Sequence, residues 1–165
     1  MLYFAYGSNT CMASMKARCP AAVPLRKMML RDSALVFRHV ADCIWEPGSK
    51  TPGGIWKITD ACEEALDRYE GIHRGLYRKE SVTLAEPFHG ETEVMLYVMN
   101  STGILPPSPG YLDIIKQGYR DFGLPLSALR AAVKRSIDDK HPSHIERARY
   151  RRKGRPPLVQ SEKAV

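Results

Sequence analysis

"LYFAYGSNT", residues 2–10, is the stretch on which the fold turns. Residues 2–6 are an unbroken apolar run, as in a buried strand, and the run stops at Gly7. Ser8 and Asn9 favour a tight turn, and "CMASMKARC" (11–19) then reads as a short helix stopped by Pro20. The expected product is a strand that carries Tyr6-Gly7-Ser8-Asn9 to a sheet edge. Gly7 permits close backbone approach, and the helix start near Cys11 adds unpaired N–H groups, so the loop can cradle an anion or a developing oxyanion. Two other readings of the loop fail. It lacks the glycines that frame a nucleophilic serine and no histidine is placed to activate Ser8; it also lacks the further glycines and Lys-Ser/Thr of phosphate and dinucleotide loops.

Beyond this stretch, "SALVFRH" (33–39), "GGIWKI" (53–58), "LYRKESVTL" (76–84) and "TEVMLYVM" (92–99) read as strands, making five in all. The period then changes. Tyr111, Leu112, Ile115, Tyr119 and Phe122 form a helical stripe that Gly123 and Pro125 terminate. A second helix is expected from Ser127 as N-cap, with Leu129, Ala132, Val133 and Ile137 inward. "GILPPSPG" (103–110) is a shaped loop, too short for an interdomain linker. Strands first and helices later imply an α+β domain: a curved or barrel-like mixed β-sheet flanked by helices.

At 165 residues the chain is one domain's worth, able to close a single core without metal or disulfide staples. Its net charge of +7 is concentrated in "RARYRRKGR" (147–155), which holds six basic side chains. The expected division is therefore a domain over 1–140 and a basic tail over 141–165. With Tyr150 as its single aromatic, the run is read as a solvated tail rather than a phosphate-tracking arm, so nucleic acid is not the expected partner. Cys11, Cys19, Cys43 and Cys62 have no C-x-x-C spacing or adjacent histidine pair, and His141 and His144 flank a proline; neither a metal nor a redox pair is expected. No leader or run of about twenty apolar residues is present, which favours a cytoplasmic protein with no membrane role.

"TDACEEALDRYEG" (59–71) is a well-marked helix, with Thr59 or Asp60 as N-cap, a Glu64–Arg68 pair and Gly71 as its stop. Glu70 is the anomaly, because a carboxylate in the last turn faces the negative end of the helix dipole. Desolvation by Leu66, Tyr69 and a neighbouring strand would raise its pKa toward neutrality and make it a proton carrier. A surface glutamate before a helix-ending glycine fits the same residues.

Three separated segments resemble the gamma-glutamylcyclotransferase family: "YFAYGSN" (3–9), "LDRYEGI" (66–72), and "PPSPGY" (106–111) with "GLP" (123–125). They occur in the family's order across roughly residues 2–126, and Thr10 departs from the larger apolar residue usual there. The resemblance implies an enzyme that closes a γ-glutamyl amide to 5-oxoproline without metal or cofactor, with Glu70 as general base and then acid. It also implies that Tyr3, Phe4, Ala5, Tyr6, Gly7 and Ser8 line the glutamyl pocket, that Asn9 holds the loop, and that Tyr111 touches the substrate. Tyr77 and Tyr97 fall where pocket tyrosines occur, and core packing suits them equally.

The expected partner is a small γ-glutamyl compound, with a homodimer left open. A γ-glutamyl amino acid calls for a cation near the acid, Arg74 or Arg78, whereas a γ-glutamylamine does not. Glutathione is disfavoured, since the glutathione-specific relatives carry leucine where this chain has Asn9. The alternative from another class is a non-catalytic binder of the same fold with a nucleic-acid-binding tail.

Overall fold

The computed structural model describes residues 1–86 and 90–139, together with the backbone of 158–160. The basic run 147–155 and the pair His141 and His144 lie outside the described residues. The strands are β1 (Leu2–Ala5), β2 (Val23–Arg38), β3 (Val40–Lys57), β4 (Tyr77–Glu86), β5 (Gly90–Met99) and β6 (Leu158–Gln160). The helices are α1 (Met12–Arg18), α2 (Asp60–Glu70), α3 (Pro109–Asp121) and α4 (Leu126–Asp138). The five expected strands are all present, in one open mixed sheet of order β2-β3-β1-β5-β4-β6.

β1 is an interior strand, antiparallel to β3 and parallel to β5, so its loop leaves from the middle of the sheet rather than from an edge strand. Its side chains alternate between two cores, as strand geometry requires. Phe4 and Tyr6 pack with Ile115, Tyr119 and Leu129 from α3 and α4, while Tyr3 and Ala5 pack with Met15, Cys62 and Leu66 from α1 and α2. Burial on both faces is why residues 2–6 carry no polar alternation.

The β2–β3 hairpin is much longer than its two recognisable pieces. Its register runs Arg31↔Lys50 and then Ser33↔Trp45, so residues 46–49 bulge out opposite Asp32. Pro47 and Gly48 sit in that bulge, and Asp32, at φ 50°, accepts the Gly48 N–H at 2.8 Å. Breaker residues that read as the end of a strand therefore mark an interruption within one.

Two helix details differ from expectation. α4 starts two residues earlier, with Pro125 rather than Ser127 at its N-cap, because the chain enters directly from the Gly123 turn at φ 62°. Ile137 is 52% exposed and Ser136 is buried in its place, giving its hydroxyl to the Val133 carbonyl. All four cysteines are buried and unpaired. Among the described residues no helix is long and apolar enough to cross a membrane.

Candidate active site

Thr59 caps α2, its hydroxyl accepting the Cys62 N–H at 3.3 Å, and the helix runs eleven residues to Glu70. Gly71 then takes the left-handed conformation, φ 68°, where a Cβ would also press to 2.9 Å of Leu76. This turn leaves Glu70 as the last helical side chain, on the wall of a cavity of about 350 Å³. The β1 loop reaches the same cavity with Tyr6, Gly7, Ser8 and Asn9, and Tyr3, Tyr69, Tyr77, Tyr97 and Tyr111 complete its polar lining. Phe4 and Ala5 do not line it. Phe4 is fully buried in the α3–α4 core and Ala5 in the opposite one, because alternation along β1 turns both away.

Asn9 is the hub of the cavity floor. Its Nδ2 donates to the Tyr3 hydroxyl and to Glu70 Oε1, each at 2.9 Å, and its Oδ1 accepts from Arg18 Nη1 at 2.7 Å. Burial pushes the Glu70 carboxyl up to about 7, against the opposing pull of the Asn9 hydrogen bond and the Arg18 charge. Of the residues expected to shield Glu70, Tyr69 borders the same cavity and is 48% exposed, while Leu66 is fully buried in the α1–α2 core.

The tyrosines are tied down through their hydroxyls. Tyr6 donates to the Tyr97 carbonyl, Tyr97 donates to Asp67 Oδ1 at 2.7 Å, and Tyr111 accepts the Ala41 N–H at 3.0 Å. Tyr97 and Tyr77 thus both line the cavity and pack in the core. Burial pushes the Tyr111 phenol up to about 12 and those of Tyr3, Tyr6, Tyr77 and Tyr97 upward as well. These phenols stay protonated at neutral pH, so Glu70 is the lining group poised to exchange a proton there.

Close packing holds the loop. Residues 8–10 form a 3₁₀ turn whose first amides, Ser8 and Asn9, have no carbonyl of their own turn to reach. The small Thr10 is fully buried against α3, where a Cβ on Gly118 would fall 2.1 Å from Thr10 Oγ1. The departure at residue 10 is thereby matched by a glycine on the facing helix. A Cβ on Gly7 would stand 3.0 Å from Ala41 Cβ and 3.4 Å from the Tyr111 hydroxyl, within the cavity wall.

Neither suggested cation reaches the site. Arg78 donates to Glu80 at 2.7 Å and to the Met99 carbonyl at 2.8 Å, and Arg74 is exposed on the turn after Gly71; both lie outside the lining. Arg18, which the sequence did not single out, is the basic residue beside the acid. Its one sequence signal was a place in the last turn of a short helix, where basic residues are common for helix-dipole reasons alone.

The fold is an open α+β sheet whose interior strand β1 leads into a small cavity lined by one carboxylic acid and several tyrosines, of a size for a small molecule. The AIG2-like family model matches residues 52–130. The bovine gamma-glutamylcyclotransferase is 32% identical over 137 residues, 76% of this chain and 73% of its own length, and the human protein of that name matches to the same extent. A solved gamma-glutamyl cyclotransferase superposes with a TM-score of 0.70 at 28% identity, covering 87% of this chain and 89% of the other. The chain belongs to the gamma-glutamylcyclotransferase family and is an enzyme of that type.

Proposed function

We propose that this enzyme converts a γ-glutamyl amide into 5-oxoproline and a free amine, with Glu70 carrying the proton. The reading rests on one observation above all: Glu70, with its raised carboxyl, and loop residues 7–9 border a single cavity. In such a substrate the α-amino nitrogen can fold onto its own γ-carbonyl carbon, so binding the chain in that curled shape supplies most of the reactivity. The α-amino group enters as the neutral amine, and Glu70 accepts one of its two protons as the nitrogen attacks. The nitrogen–carbon bond of the five-membered ring forms, and negative charge gathers on the carbonyl oxygen, where the loop amides stabilise it. The amide C–N bond then breaks as Glu70 returns its proton to the departing nitrogen, which could not leave as an amide anion. One carboxylic acid serves both transfers, and its pKa suits the task because a base near neutrality is stronger than an ordinary glutamate yet still ionised at pH 7 or above.

Tyr3, Tyr6, Ser8 and Tyr111 are the proposed walls of the glutamyl pocket, with Asn9 anchoring the loop. Phe4 and Ala5 would act through the backbone and core alone. Four buried, unpaired thiols support a reducing cytoplasmic setting. The test is a mass-spectrometric assay of purified protein against γ-glutamyl dipeptides and γ-glutamylamines. Release of 5-oxoproline that disappears in Glu70→Gln supports the reading, and undiminished release by that variant rejects it. No turnover of either substrate class, with retained γ-glutamyl binding, would favour the non-catalytic binder.

A further inference from the structure

We infer that Arg18 is a positioning residue for the reaction, acting through Asn9 to present an N–H donor to Glu70; this rests on the acid–base role proposed for that glutamate. A primary amide can face its neighbours either way round, and the two orientations place opposite polarity against a carboxylate. Here the choice is forced from behind. Arg18 Nη1, a donor that cannot accept, meets Asn9 Oδ1 at 2.7 Å, so the NH₂ end turns toward Tyr3 and Glu70. The flipped amide would set its oxygen against the carboxylate and its NH₂ against the guanidinium, losing the hydrogen bonds to both.

Arg18 is itself fixed. Its guanidinium carbon lies 3.7 Å from the centroid of the Tyr69 ring, an aromatic seat contributed by the residue before Glu70. Tyr69 in turn has its hydroxyl 3.4 Å from Ser8 Oγ on the loop. The arginine thus links α1, the loop and the end of α2, three elements with no covalent reason to keep register at the site. It lies outside the cavity lining, so it does not touch the bound molecule.

Among the described residues, Arg18 is also the one cation whose charge acts on the acid. Tyr3, Tyr6, Tyr77, Tyr97 and Tyr111 surround Glu70 from the strands, the loop and α3, and all are neutral at the pH of the reaction. Removing Arg18 takes away a charge that favours the ionised acid and releases the amide that hydrogen-bonds to it. Both changes raise the pH at which Glu70 gives up its proton.

The experiment is a double-mutant cycle on 5-oxoproline release from a γ-glutamyl dipeptide, using Arg18→Met and Asn9→Ala. Methionine keeps an apolar side chain against Tyr69 but removes both the donor and the charge, so packing on the ring is kept while the link to Asn9 is cut. Arg18→Met is expected to lower kcat about tenfold, change KM less than twofold and move the acidic limb of kcat/KM to higher pH. In the Asn9→Ala background the same substitution should change kcat on its high-pH plateau less than twofold, because the hydrogen-bonded route to Glu70 is gone and the lost charge moves only the acidic limb. A ¹³C-carboxyl titration of Glu70 gives a readout without turnover, and its midpoint should rise in Arg18→Met. Wild-type kcat in Arg18→Met, or effects that simply multiply in the double variant, would overturn the inference. If Glu70→Gln is inactive while the cycle shows no coupling, the positioning role alone fails; a fully active Glu70→Gln removes the acid–base reading beneath it.

Discussion

Asp42 and Glu70 are both carboxylates withdrawn from water, and the protein treats them in opposite ways. Asp42, on β3 and 1% exposed, accepts from Arg38 Nε at 2.8 Å and from the Cys43 and Met99 amides at 2.9 Å each. Burial still pushes its carboxyl up, but a guanidinium and two N–H groups hold the other way. Arg38 continues to the Gly103 carbonyl at 2.7 Å, so the pair pins the loop after β5 to the hairpin. Glu70 receives a single donor among the described residues, the Asn9 amide, and borders empty volume. A buried carboxylate with its lone pairs filled is scaffold. One left short of donors beside a cavity can exchange a proton.

Substituting each acid tests this contrast. Glu70→Gln should lower 5-oxoproline release by about 10²- to 10⁴-fold, the usual worth of a general acid–base group, with an unchanged fold by circular dichroism. Asp42→Ala should do the reverse, costing about 3–5 kcal/mol in denaturant unfolding while the folded fraction keeps its KM. Equal damage to activity and stability in both variants would erase the distinction.

The pH dependence of stability sharpens it. The folded pKa of Glu70 is about 7 against an ordinary 4.5, so between those values the folded state holds a proton that the unfolded chain has lost. Wild-type stability should therefore be greatest, relative to Glu70→Gln, below about pH 4.5 and decline as pH rises to about 7, by at most on the order of 3 kcal/mol. Chemical denaturation of both proteins across pH 4–8 measures the difference, and parallel curves would mean that Glu70 titrates normally. The same titration should appear as an acidic limb of kcat/KM near pH 7, activity rising as Glu70 ionises. The smallest effect concerns the wall: Tyr111→Phe leaves the buried Ala41 N–H without its acceptor and should cost about 1–2 kcal/mol in the same assay.

Much of this contrast was written in local chain features. Glu70 stood out because a carboxylate at a helix C-terminus followed by a left-handed glycine is locally costly. The β1 loop stood out because an apolar strand ended abruptly at Gly-Ser-Asn. Asp42 carried no such mark, since a charged residue inside a strand looks the same on paper whether it points to water or to a buried guanidinium. The hairpin was half legible for a related reason: Pro47 and Gly48 break local propensity, and only pairing with the facing strand shows that the strand resumes beyond them. Phe4 and Ala5 share a sequence segment with the cavity residues but not their direction.

Taken alone, the order of amino acids determined the kinds of element, their sequence along the chain, and which carboxylate was out of place, because backbone preference and helix-end electrostatics act over a few residues. Which side chains meet that carboxylate was decided in three dimensions. Arg18, Asn9 and Tyr111 converge on Glu70 from segments far apart in the chain, and burial, the main cause of its raised pKa, exists only once those segments have packed.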